Sequence, residues 1–367
     1  MNAETTQQVQ AAQVVLPCAE LDPTLEFFTG RLGFRVEAIY PADSPSTVVV
    51  SGYGLRVQLQ RGRDGEPGAL RLLCRDPASI ADGARELTAP NGTRIEIVDA
   101  NPPLVVPPVE PSFVVSKHDG ATWGVGRAGM RYRDLISGRL GGSFIASHIQ
   151  IPEGGPVPDY VHFHKIRFQM IYNYKGWVRL AYEDQGPELV MSAGDCVLQP
   201  PQIRHRVLEC SDGFEVVEIG CPAEHETFAD HDMTLPTGVE NPERDFGGQR
   251  FIRHKAAEAT WHPWRLDGFE CRDIGIADAT NGLAGVRVAR VSGTPTAKLV
   301  RHDVEFLFMF VLEGTLTLES EGHEDHDLEA RDSVVLPAGM SYAFADCSTN
   351  LELLEVALPA SFETSGA

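Results

Sequence analysis

The sequence predicts a mainly β protein in which a small α/β domain is followed by two antiparallel β-barrels in tandem. Three observations lead there. Ala121 to Trp123 recurs at Ala259 to Trp261, Arg133-Asp134 at Arg272-Asp273, Gly176 at Gly314 and Pro200 at Pro337, a spacing of 137 to 139 residues, and a repeat of that length marks a duplicated folding unit. The 35 glycines and 25 prolines are dispersed through the chain, which suits many short strands and turns and disfavours a helical bundle. The stretch ANPPLVVPPVEPS, residues 100–112, can continue neither a helix nor a central strand and therefore reads as a linker. The expected domains are residues 1–105, 106–238 and 239–367.

Before the linker, QVVLPC reads as a strand, DPTLEFFTGRLGF as an amphipathic helix ending near Gly33, and STVVVSGYGLRVQLQ as a hairpin turning at Gly52 to Gly54. A second, shorter unit follows: ALRLLC as a strand, ASIADGARELT as a helix capped by Asp76 or Ser79, and TRIEIVD as a strand entered through the turn Asn91-Gly92. After the linker each copy of the repeat is dense in alternating strands such as SFIASHIQI and FEVVEI, the latter recurring within LELLEVALP from Leu351.

At 367 residues the chain can bury a large core without staples. Its formal charge of −21 would repel a phosphate backbone and an anionic lipid surface, so neither nucleic acid nor membrane is an expected partner. The longest apolar run, Phe306 to Leu312, is far short of a membrane span, and the first 13 residues lack the basic start and apolar stretch of a secretory signal. Seven scattered cysteines with no CxxC pair read as reduced thiols. A cytoplasmic location is expected, with the paired barrels giving a monomer or a homodimer.

The first copy carries the chemistry. His162 and His164 alternate with Phe163 and so share one face of a strand. Gln169 follows a bend, and His205 arrives from a separate strand after the Pro200-Pro201 turn. Three imidazoles and an amide oxygen on an inner wall make a nearly complete ligand set for one divalent transition metal (Zn, Ni, Mn or Fe), with positions left for water or substrate. These residues and their spacings, with Gly176, Gly194 and Pro200, resemble the two motifs of the cupin family. The resemblance implies two tandem double-stranded β-helix (jelly-roll) barrels, a bicupin, with the metal in the first. The chain departs from the motifs by an extra residue after Gly155, by Gln169 in place of Glu and by Gln202 in place of Gly.

By strand parity Tyr160, Asn173 and Gln199 are candidates to face the same pocket, while Tyr172 and Tyr174 point away. Glu215 and Glu218 recur as Glu352 and Glu355 in the copy without ligands, which favours a structural role. His225 and His231 could form a lid, but a surface loop is the simpler reading. The second copy aligns Val300, His302, Leu307 and Tyr342 with the four ligands, so it is expected to hold no metal and to serve as a structural partner. His323 and His326 fall at a hairpin tip, where solvated charge suffices as an explanation.

LPCAELDPTLEFFTGRLGF and APNGTRIEIVD resemble the vicinal oxygen chelate (glyoxalase-like) superfamily over residues 11 to 100. Glu96 matches its last ligand position, but Gln13 stands where a His is usual and nothing near Ala69 can ligate, so this domain is expected to be metal-free. The reading as a whole is a metal-dependent enzyme acting on a small oxygenated molecule. Because a neutral amide leaves the metal's charge uncompensated, redox-neutral Lewis acid chemistry (isomerase, lyase or cyclase) is favoured. The alternatives are an O2-dependent dioxygenase cleaving a C–C bond or aromatic ring, and a non-enzymatic metal-anchored binder or sensor.

Overall fold

A computed structural model describes residues 9–366. Most of the N-terminal stretch discussed above lies outside the described residues. The chain divides into two compact units on either side of the Pro103-Leu104 bond. Among the described residues no helix is long and apolar enough to cross a membrane, and all seven cysteines are free thiols.

In the first unit, Val14–Pro17 pairs in parallel with Leu55–Gln60, followed across the sheet by Thr47–Gly52 and Arg35–Tyr40. The helix Leu21–Glu26 runs on into a π turn, Phe27–Arg31, because Leu21, Thr24 and Phe28 recur on one buried face. The hairpin turns at Tyr53 and Gly54, both at positive φ, the backbone that a tight two-residue turn requires. A three-stranded sheet follows, with Arg94–Asp99 flanked by Ala69–Cys74 and Glu86–Thr88. The helix expected over residues 78–88 does not form. Two 3-10 turns, Pro77–Ser79 and Ala81–Gly83, replace it, and its last residues become the Glu86–Thr88 strand. Ala81, Asp82 and Gly83 are all left-handed, so no second helical turn can propagate. Asp76 does cap, accepting from the Ala78 N–H at 3.0 Å, but it caps a single turn.

The second unit holds four antiparallel sheets, two for each barrel. In the first barrel, a sheet ordered Cys196–Leu198, Phe168–Lys175, Phe214–Cys221, Ile145–Ile151, Arg131–Asp134 faces one ordered Leu189–Ser192, Trp177–Tyr182, His205–Cys210, His162–Lys165, Glu226–Ala229. The second barrel repeats this plan, down to a bulge at Asn173/Lys175 and again at Val311/Glu313. The motif glycines Gly176 and Gly314 both have positive φ, and a Cβ on either would collide with a serine hydroxyl, Ser211 or Ser348. Those hydroxyls accept the next backbone N–H at 3.0 and 2.8 Å.

The sheets do not respect the boundary expected between residues 238 and 239. Ile252–His254 adds to the first barrel beside Cys196–Leu198, while Val114–Ser116 adds to the second beside Ser333–Val335. Each copy thus lends its leading strand to the other, covering an edge that would otherwise present unpaired backbone groups. Between the barrels Phe144 stacks on Phe306 at 3.9 Å. The related arginines Arg133 and Arg272 each donate across to the opposite barrel, to Arg331 O and to Gly194 O. Tyr172 accepts from Arg272 at 3.2 Å, and Tyr174 packs edge-on against Phe310.

Candidate metal centre

His162 and His205 are register partners on adjacent strands, and His164 lies two residues along on the same face as His162. The ring centres are 4.2 Å apart for His162 and His205, and 5.3 Å for each of the other two pairs. One nitrogen from each ring falls within 4.8 Å of the others, the one such histidine-rich group among the described residues. Each Nδ1 is already held by an oxygen: His162 by Tyr160 O at 2.8 Å, His164 by Thr227 Oγ1 at 2.9 Å and His205 by Ile203 O at 3.0 Å. The two backbone carbonyls can only accept, so they fix His162 and His205 with the proton on Nδ1 and the lone pair on Nε2, and the Thr227 hydroxyl can accept from His164 in the same form; that arrangement fits a divalent transition metal.

Burial favours the neutral, ligating form of all three. It holds His164 down to about 3, aided by His162, His225 and Arg127, and it holds His162 and His205 below the ordinary imidazole range. Arg127 donates to His162 Nε2 at 3.0 Å and is ion-paired with buried Asp159, whose other oxygen accepts the Val207 N–H at 2.9 Å. The Arg127 contact and a cation on His162 Nε2 exclude one another, because both use the same lone pair.

Gln169 lines the same cavity. Its Nε2 donates to Glu218 Oε1 at 2.7 Å, and because a carboxylate only accepts, the amide orientation is set by chemistry and leaves Oε1 as a donor atom for a metal. Gln199 also lines the cavity, donating to Tyr182 Oη at 2.9 Å while its own Oε1 is buried with no partner. Tyr160 flanks the mouth, 40% exposed, edge-on to His162.

Three expectations are corrected. Asn173 is not among the cavity-lining residues: it sits at the bulged end of its strand and donates to Gly176 O and Met191 O at 3.2 and 3.0 Å. Glu218, read as structural because it recurs, faces the cavity and bonds Gln169, so an acidic side chain stands beside the histidine cluster. His225, read as a surface-loop residue, lines the cavity 5.4 Å from the His164 ring, its Nδ1 tied to Pro222 O. Its neighbour His231 is exposed beside Tyr160.

Arg127 and Asp159 were missed as site residues, although a signal existed. Arg127 and Glu218 recur as Arg265 and Glu355, and in the second barrel that pair forms a direct ion bridge. Ala297 stands there in place of Asp159, so Arg265 closes onto Glu355 and donates to Tyr342 Oη at 3.3 Å, with Leu307 and Tyr342 both fully buried. His302 packs against Tyr342 and Phe362. In the first unit Glu96 pairs with Arg71 and Arg94 at 2.7 and 2.8 Å, and Gln13 bonds Gln58. His323 and His326 lie against Phe113.

Residues 288–357, inside the second barrel, match the Cupin domain family. Among solved structures, oxalate decarboxylase from Bacillus subtilis is similar at 13% identity with a TM-score of 0.51, over 69% of this chain and 78% of that one. A formate complex of the Lactobacillus farciminis oxalate decarboxylase is similar at 12% identity with a TM-score of 0.52, over 71% of this chain and 89% of that one. No curated protein matches at a significant level. The fold is therefore of the cupin type, with two barrels in tandem.

Proposed function

We propose that this bicupin chain is an enzyme that holds one divalent transition metal at His162, His164, Gln169 and His205 and acts on a small oxygenated molecule by redox-neutral chemistry of the isomerase, lyase or cyclase type. The observation that carries the reading is the convergence of one nitrogen from each of three imidazoles within 4.8 Å, each ring with its Nδ1 already bonded to an oxygen. When bound, such a metal supplies Lewis acid polarisation of a carbonyl, enol or hydroxyl oxygen. The chain supplies the rest. Glu218 spends one oxygen on the Gln169 amide and keeps the other to take up and return a proton at the atom next to the polarised group. The Tyr182 ring, stacked 5.6 Å from His205 and held by Gln199, closes one side against water.

Likeness in fold to a decarboxylase, an enzyme that breaks a C–C bond, supports a lyase among these options. In the first unit, the order strand, helix, three strands supports a glyoxalase-like module, and the two arginines on Glu96 support its being metal-free. The test is elemental analysis of protein purified without added metal, with oxygen uptake followed on turnover. About one equivalent per chain is expected, abolished by His164→Ala, with no oxygen consumed. Two equivalents, or unchanged content in the variant, would refute the site; oxygen uptake would refute the redox-neutral chemistry.

A further inference from the structure

The cavity that opens on the histidines has a volume of about 410 Å³, and its lining changes character with depth. Strand register orders that lining in layers, because every second residue faces inward and each such step advances roughly 6.6 Å. The histidine layer, with His164 and Thr227 one step nearer the mouth, holds His162, His205, Gln169 and Tyr182. One step deeper, Glu218 lies opposite Ser147 and Ile171, and Val207 opposite Leu180. A further step brings Val216 opposite Ile149, and the last closes the barrel with Phe214 opposite Ile151. Met130, Val178 and Met191 fill in the deep walls, and Val197 lies level with Ile171.

Full charge in the lining is confined to Arg127 and Glu218, both near the histidine end. Arg127 is already neutralised by Asp159. A compact dianion such as oxalate could gather both carboxylates at the histidine layer but would leave the apolar floor unfilled. At ~30 Å³ for each group of methylene or water size, the cavity holds about 14 such groups, far more than oxalate occupies.

We infer that the substrate is amphipathic: a metal-chelating head of two oxygens at the histidine layer, carried on an uncharged, apolar body of about six to eight carbons that fills the floor between Val216, Ile149 and Phe214. The head rests on the metal reading above; the body rests on the lining alone. The two are separated by titrating the purified full-length chain, metal-loaded and chelator-treated, with oxalate and with straight-chain 2,4-diones from pentane-2,4-dione to nonane-2,4-dione, using calorimetry.

Affinity should rise about fourfold for each added methylene, from ~0.8 kcal/mol per buried CH2, and every dione beyond the shortest should outcompete oxalate. Val216→Phe should flatten this rise while leaving pentane-2,4-dione binding within about twofold. Ile149→Ala, which empties rather than fills the floor, should move the optimum to a longer chain and serves if the first variant does not fold. Chain-length dependence that persists unchanged without metal would sustain the apolar body and sink the metal-bound head. Affinity independent of chain length in both forms, or oxalate binding more tightly than nonane-2,4-dione, would overturn the inference.

Discussion

Gln169→Glu replaces the amide nitrogen that lies 2.7 Å from Glu218 Oε1 with a second carboxylate oxygen. Two terms can be worked out for the metal-free protein. A hydrogen bond to a charged acceptor, worth about 1.5 to 3 kcal/mol, is lost. Two unit charges about 4 Å apart repel by ~4 kcal/mol at an effective dielectric of 20, unless one group keeps its proton. Repulsion raises the introduced carboxyl above its unfolded value, so the cost is fully present at pH 8 and fades as the pH falls toward the unfolded carboxyl range near ~4.3. Because keeping one carboxyl protonated up to pH 8 costs ~1.36 kcal/mol per pH unit above ~4.3, the loss is capped, and we expect chelator-treated Gln169→Glu to be destabilised by about 5 kcal/mol at pH 8, or roughly 10 to 20 °C in Tm at ~2 to 4 °C per kcal/mol, and by much less at pH 5. A divalent metal should recover most of the loss, since it attracts both charges, and Glu218→Gln in the same chain should recover it without metal. The assay is thermal unfolding at both pH values with and without chelator. A wild-type Tm at pH 8 in the chelated single variant would refute the placement of Glu218 against Gln169.

Asp159→Ala should free Arg127 to turn onto Glu218, as Arg265 does onto Glu355 where Ala297 replaces the acid, and weaken metal binding by about tenfold or more; adding Arg127→Met should restore it, and metal titration of both variants decides. The neutral imidazoles set a second expectation. Because His162, His164 and His205 are held below their unfolded value, the unfolded chain binds more protons as the pH drops below ~6.5, and metal-free stability should fall by up to ~4 kcal/mol per pH unit across pH 6 to 5. Urea midpoints that do not move over that range would contradict the burial of these rings. Removing residues 240–367 takes Ile252–His254 from the first barrel and strips the partner from Val114–Ser116, so the fragment should aggregate, and a monomeric, cooperatively melting fragment by sedimentation and calorimetry would count against the exchanged strands.

The barrels were legible in the sequence because duplication printed the same turns twice: Gly176 and Gly314 mark one steric collision repeated. The histidine positions were equally legible, since a period of two fixes which side chains share a face. Failures came where local pattern had no say. ASIADGARELT carries helical spacing, but consecutive left-handed residues at Ala81 to Gly83 break it, and propensity gave no warning. Asn173 obeys parity and lies level with Val216, yet at the bulge its amide is taken up by Gly176 O and Met191 O, a local distortion that parity does not report. Glu218 misled through its recurrence: the same residue bonds Gln169 in one barrel and is bridged by an arginine in the other, and the difference rests on a third position, Asp159 or Ala297.

The exchange of leading strands also governs the order in which the chain can fold. Val114–Ser116 leaves the ribosome more than two hundred residues before its partner Ser333–Val335, and the first barrel lacks an edge until Ile252–His254 has emerged. Neither half can be completed as a free-standing intermediate, and the contacts that join them are among the longest in sequence, the kind formed late and slowly. Until Ile252–His254 arrives the Cys196–Leu198 strand has an open side beside the histidine-bearing barrel, so a pocket finished enough to hold ligand should mature only after the second copy has begun to emerge.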